Sequence, residues 1–185
     1  MDHEEPPRMG VDADVIQRAL EGDRSVLAQI YDEYAKPVYR YLYSRVGNAA
    51  DAEDLTSQTF MAVLEALPHY QHLNSFTAWV FQIARNKAMD HFRVKHASAE
   101  IPEWVSDPAQ VDALEALVGT ETRRQLRVLL HGLDEDEREL IRLRYSAELS
   151  FVEIARLLGR KEDAVRKSIR RLLDRLSIQL EAQNV

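Results

Sequence analysis

The chain has 185 residues, 45% of them hydrophobic and 30% charged, with 6 Gly, 6 Pro and no Cys. Such a composition suits one ordinary domain or two small ones; it excludes disorder throughout, a disulfide framework and thiolate metal sites. No apolar run reaches the roughly 18 residues of a membrane span, and the acidic, Pro-containing stretch Met1 to Gly10 does not have the pattern of a secretory signal. A cytoplasmic chain without membrane insertion is expected, and the missing cysteines fit a reducing compartment.

Residues 1–11 read as a disordered leader. A short amphipathic helix follows from Val11 to Leu20, stopped by Gly22. Asp23 is placed to cap the next helix, whose apolar stripe is Val26, Leu27, Ile30, Tyr31, Tyr34, Val38, Tyr41 and Leu42. Its tyrosines, Tyr39 and Tyr43 included, read as packing residues. Pro37 is expected to kink or split it, and Gly47-Asn48 to close it. A third helix starts between Asn48 and Asp51 and runs to Leu67, with Leu55, Thr59, Phe60, Val63, Leu64 and Leu67 inward. It carries Asp51, Glu53, Asp54 and Glu65 and no Lys or Arg. Acids at a helix start suit the macrodipole; they also make an acidic docking face. After Pro68 and a polar joint to Asn74, Ser75 caps a fourth helix to about Lys95, with Trp79, Val80, Ile83, Ala84, Ala88 and Phe92 on its core side. That helix mixes Arg85, Asn86, Lys87, Arg93 and Lys95 with Trp79, Phe81, His91 and Phe92, a composition able to stack unpaired bases, although Trp79 and Phe92 read as packing.

Composition shifts to Ser, Pro, Glu and Asp after residue 97. The expected organisation is all-α: helical domains over 12–96 and 112–185, joined by a flexible linker over 97–111. In the second unit Val111 to Leu130 is helical in pattern. Asp134 and Glu137 open a helix over 135–146, and Ser150 with Glu153 forms a capping box for 151–158. Gly159 ends that helix, and a basic helix runs from about Glu162 to Leu180. A short helix, a tight Gly turn and a longer basic helix form the helix-turn-helix pattern. On the last helix Val165, Ile169, Leu172, Leu173 and Leu176 line one side.

The net charge of −7 is unevenly distributed: residues 101–120 carry −4, whereas 156–176 carry +5. Phosphate senses the field only within a Debye length of about 8–10 Å, so the basic segment decides nucleic-acid binding. Arg160, Lys161, Asp163, Arg166, Lys167 and Arg170 are the candidates for major-groove contact, arginine matching guanine edges and phosphates through its fork of donors. No Gly-rich phosphate loop, G-x-S-x-G or H-E-x-x-H is present, and a non-enzymatic chain without cofactor is expected. One rival reading, metal-dependent hydrolysis, would gather the acids of the third helix with His69 and His72, but spacing fixes no third ligand. A second rival, a dimeric helix-turn-helix regulator, would need a palindromic site.

Two blocks carry a family resemblance. Ala50 to Phe60 (ADAEDLTSQTF) with Phe76 to Arg93 (FTAWVFQIARNKAMDHFR), preceded by Glu21-Gly22-Asp23 and Tyr31 to Tyr34, resembles region 2 of bacterial sigma factors. Leu133 to Leu176, with Leu149 to Gly159 (LSFVEIARLLG), resembles region 4. Two such regions alone, joined by a short linker, resemble the layout of the extracytoplasmic-function group. The resemblance implies a transcription initiation factor that binds core RNA polymerase, through its β′ clamp helices and β flap, and directs it to promoter DNA. It implies that Asp51, Glu53, Asp54 and Gln58 dock on β′. It places Tyr70, Asn74, Asn86, Lys87, Asp90 and Arg93 at the −10 element, where the duplex is opened, and the six candidates from Arg160 to Arg170 at the −35 element. An anti-sigma factor is a common further partner in the group. The sequence departs from the family where Lys161, Asp163 and Ala164 stand at the start of the recognition helix, which implies a different −35 preference.

Overall fold

A computed structural model of the chain describes residues 13–70, 75–97 and 120–183. The leader, Asn74 and the linker beyond Ala97 lie outside the described residues, as does the expected helix from Val111 up to Gly119. Every regular element among the described residues is helical: α1 Ala13–Leu20, α2 Arg24–Val46, α3 Ala49–Ala66 with a 3₁₀ turn Leu67–His69, α4 Phe76–Ala97, α5 Thr120–His131, α6 Glu135–Ile141 continued by a π-type turn Arg142–Ser146, α7 Phe151–Leu158 and α8 Glu162–Gln183. None of these helices is long and apolar enough to cross a membrane.

Local chemistry sets the joints. Asp23 accepts the Ser25 N–H at the start of α2, Asn48 the Asp51 N–H at the start of α3, and Asp134 the Glu137 N–H at the start of α6. Each satisfies a backbone donor that has no partner inside its helix. Gly47 closes α2 at φ 77°, in the left-handed region where only glycine is unstrained.

Pro37 does not split α2, which is continuous on both sides of it. A proline in a helix interior costs about 3 kcal/mol. Val38, Tyr41 and Leu42 just beyond it are fully buried, each such side chain contributing about 1.5–3 kcal/mol when withdrawn from water. Tertiary packing therefore outweighs the lost hydrogen bond. The single helix expected over 135–146 is instead α6 followed by the wide turn, in which the Ala147 N–H reaches the Arg142 carbonyl. Four side chains expected on apolar stripes or free faces also change place: Tyr31 and Leu64 are half exposed, Leu173 is exposed, and Phe81 is fully buried.

The two helical units do not stand apart. α2 packs on the π-type turn and α4 packs on α7. The buried side chains of α1–α4 and of α6, the turn, α7 and the first half of α8 form one contiguous apolar cluster, from Ile16 to Ile169. A smaller cluster of Leu133, Leu172 and Leu176, backed by Leu129, Leu130 and Ile141, ties α5 and α6 to α8.

Candidate nucleic-acid interface

The helix-turn-helix is built from α7 and α8. Ser150 and Glu153 form the expected capping box, the Ser150 hydroxyl accepting the Glu153 N–H at 3.2 Å and the Glu153 carboxylate accepting the Ser150 N–H at 2.7 Å. At the other end Gly159 lies at φ 63°, and the Arg160 N–H turns back onto the Ala155 carbonyl at 2.9 Å. This is the Schellman closure, which ends α7 sharply and satisfies its last carbonyls.

Val165, Ile169, Leu172 and Leu176 of α8 are buried. Arg160, Lys161, Asp163, Arg166, Lys167 and Arg170 are all exposed. Asp163, Arg166, Lys167 and Arg170 stand at i, i+3, i+4 and i+7, one side of a helix. Two of the arginines are already oriented: Arg166 lies 4.5 Å from the centre of the Phe151 ring and donates to Glu162 at 2.7 Å, and Arg160 donates to Ser168 at 2.8 Å. Arg144 stacks on the same Phe151 ring at 4.6 Å. The Phe151 platform was not legible in the sequence, because Arg144 comes to it from another element and Arg166 from across the turn.

On α4, Asn86, Asp90 and Arg93 are exposed at i, i+4 and i+7, with Lys87 half-buried beside them. Asn86 accepts from Gln82, and Asp90 pairs with Arg93 at 2.9 Å. Tyr70 is placed differently from a free stacking partner. It is buried, its ring 4.8 Å from Trp79 and 5.5 Å from Phe76, and that burial raises its phenol pKa.

On α3, Glu53, Asp54, Ser57, Gln58, Met61, Leu64 and Glu65 are exposed. This surface carries three acids and no Lys or Arg, and Met61 and Leu64 lie along it. The two apolar residues escape a charge-based reading of the sequence. Asp51 belongs elsewhere: its carboxylate accepts from Lys95 at 2.6 Å and from Asn48 at 2.8 Å, and lies 3.2 Å from His91 Nε2. Burial alone would raise the Asp51 carboxyl, but the hydrogen bonds from Asn48 and Lys95 and the nearby charge hold it below the usual carboxylate range. Asp51 clasps α3 to α4. Among the described residues no three His, Asp or Glu side chains gather as metal ligands.

Comparison with known proteins matches the chain to two family models in order: Sigma-70 region 2 over residues 30–97 and Sigma-70, region 4 over residues 129–177. The chain belongs to the sigma-70 family. Its curated relatives place it in the extracytoplasmic-function group. It is 32% identical over 157 residues to the ECF RNA polymerase sigma factor BldN of Streptomyces coelicolor, covering 83% of this chain and 60% of BldN. It is 27% identical to SigW of Bacillus subtilis, covering 89% of this chain and 94% of SigW, and 27% identical to SigK of Mycobacterium tuberculosis, covering 91% and 97%. The structure of CnrH in complex with the cytosolic domain of CnrY aligns over 93% of this chain and 98% of CnrH, with a TM-score of 0.67 and 26% identity. RpoE of Bartonella quintana, solved with the anti-sigma factor NepR, shares the fold at a TM-score of 0.62 and 21% identity, over 83% of this chain and 96% of RpoE. The region 2 match covers most of α2 and all of α3 and α4, and the region 4 match runs from the end of α5 through most of α8.

Proposed function

We propose that this sigma factor is a non-catalytic initiation factor that docks on core RNA polymerase through the α3 surface of region 2 and reads promoter DNA with two separate helices. Glu53, Asp54 and Gln58, with Met61 and Leu64 following them along the exposed side of α3, form the polymerase-docking surface, suited to a partner that is both basic and apolar. The α4 face with Asn86, Lys87, Asp90 and Arg93 meets the −10 element, for which Tyr70 and Asn74 are the further candidates. Arg160, Lys161, Asp163, Arg166, Lys167 and Arg170 meet the −35 element in the major groove. The domain boundaries that go with this reading are 12–96 and 112–185.

One observation carries the proposal: a cationic side of α8, anchored by four buried residues and set off from α7 by a Schellman turn, stands apart from an acidic α3 surface. Opposite charges on separate elements suit two unlike partners, a polymerase and a duplex. The CnrH complex with CnrY supports a protein regulator of this chain as a third partner.

Run-off transcription with core polymerase and a promoter library tests it. The expected result is promoter-selective transcripts, weakened at the −35 element by Arg170→Ala and at the −10 element by Asn86→Ala. A chain that does not co-purify with core polymerase would overturn the reading.

A further inference from the structure

Met89 is an apolar side chain set into the polar face of α4. It is 51% exposed, whereas Ala84 and Ala88 on the other side of the helix are fully buried and fix how α4 is rotated. Along the exposed side Asn86, Met89, Asp90 and Arg93 stand at i, i+3, i+4 and i+7. Asp90 and Arg93 satisfy each other in an ion pair at 2.9 Å. Asn86 and Met89 form the other pair of neighbours on this face. Covering Met89 with an apolar group of a partner would be favourable, because that surface is now in water.

Residues three apart on a helix have Cβ atoms about 5–6 Å from each other. Long helical side chains lean back toward the N-terminus, over the turn before their own, so Met89 belongs over Asn86. The Asn86 carboxamide is already turned: its oxygen accepts from Gln82 Nε2 at 2.9 Å. With the oxygen engaged inside the helix face, what Asn86 offers a partner is its NH₂ donor. A donor and a flexible apolar arm therefore stand side by side on one turn. Val94 is also exposed, at 66%, but it lies eight residues beyond Asn86, about 12 Å along the helix axis, too far to share one base with it.

We propose that Asn86 and Met89 together read one thymine of the −10 element, Asn86 donating to O4 and Met89 packing on the C5 methyl. The inference rests on the −10 assignment above and adds the identity of a base to it. Thymine is the base that carries an acceptor beside a methyl group. Cytosine presents the N4 donor at that place, so donor would meet donor. Guanine offers acceptors, O6 and N7, but leaves the Met89 arm against polar atoms, and adenine sets its N6 donor beside its N7 acceptor. Three rotatable bonds and a polarizable sulfur let methionine follow the methyl through small changes in base position, as a base that is being unpaired requires. Met89 is then a specificity-determining residue, and the Gln82 amide is a positioning residue for Asn86.

Run-off transcription with core polymerase tests this on a promoter taken from the library, each −10 thymine being replaced in turn, on either strand, by deoxyuridine. That change removes the methyl and nothing else. At one position the wild-type chain is expected to lose about fourfold, the factor equivalent to about 0.8 kcal/mol for one methyl-sized group withdrawn from water. Met89→Ser should lose a similar factor on the thymine promoter and nothing further on deoxyuridine, while Met89→Leu keeps the discrimination. Comparing the four combinations cancels any effect of the methyl on duplex opening itself, and half-exposed Met89 can be replaced without loss of the fold. Wild-type transcription indifferent to deoxyuridine at every position, or a Met89→Ser chain that discriminates as wild type does, overturns the inference. A second measurement tests the donor. Asn86→Asp presents an acceptor and should prefer 5-methylcytosine to thymine at that position; a retained preference for thymine removes Asn86 from the pair. A wild-type chain that gives no promoter-selective transcript at all overturns the functional reading instead.

Discussion

Lys95 near the end of α4 donates to Asp51 in the first turn of α3 at 2.6 Å, across 44 positions of sequence. The acid at the head of the acidic helix is therefore part of how region 2 is closed, and it differs in kind from Glu53 and Asp54, whose carboxylates face solvent.

Asp51→Asn is expected to destabilise the chain at neutral pH and to matter less in acid. The folded-state carboxyl titrates below its unfolded value of about 3.9. Its contribution is complete above that value and is lost as pH falls through the folded pKa. Urea midpoints measured against pH should show the gap between wild type and Asp51→Asn narrowing below about pH 4. A gap that stays constant down to pH 2.5 would contradict the clasp.

Glu53→Ala and Asp54→Ala, by contrast, should leave thermal stability within about 0.5 kcal/mol of wild type and weaken association with core polymerase. Met61→Ser should weaken it as well, since Met61 is 62% exposed and packs on little within the chain. Competition against wild type for core polymerase measures all three.

Arg170 and Arg166 should respond differently to conservative change. Arg170→Ala should cost about 1–3 kcal/mol of −35 discrimination, roughly 5- to 150-fold in promoter preference, with stability unchanged. Arg166→Lys keeps the charge but loses the planar group lying on Phe151, so promoter preference is expected to relax even though charge is conserved. Phe151→Leu should reproduce that relaxation. Promoter preference in Arg166→Lys equal to wild type would show that the stacking has no part in recognition.

Gly159→Ala tests the turn. A Cβ at Gly159 meets no atom within 4 Å, so the cost is backbone strain alone at φ 63°. A left-handed L-residue costs about 1–2 kcal/mol, a fall in Tm of roughly 2–8 °C for a chain of this size. Ser150→Ala should cost about 0.5–2 kcal/mol through loss of the cap. Differential scanning calorimetry reads both.

Much of this protein was decided one element at a time, and those parts were legible in the sequence. Helix ends follow from side chains that reach their own backbone: Asp23, Asn48, Asp134 and the Ser150/Glu153 pair act within three residues of themselves, and Gly47 and Gly159 act through their own dihedrals. The order of regions 2 and 4 and the charge on α3 and α8 are likewise properties of short contiguous stretches. The continuity of α2 through Pro37 was not legible, because Pro37 is a local breaker overruled by burial of Val38, Tyr41 and Leu42 against other helices.

Only the tertiary structure decided which charges are free. Asp51 and Glu139 look in sequence like their exposed neighbours Glu53 and Asp136, and Arg142 like the less buried Arg138. What distinguishes them is a partner 40 to 100 residues away: Lys95 for Asp51, Tyr41 for Glu139, the Ser44 carbonyl for Arg142. The packing of region 4 on region 2 is of the same kind. Periodicity sets which face of a helix is apolar, but the choice of the surface that covers it depends on shape and on matching charges brought together from both ends of the chain, and neither is encoded within one element.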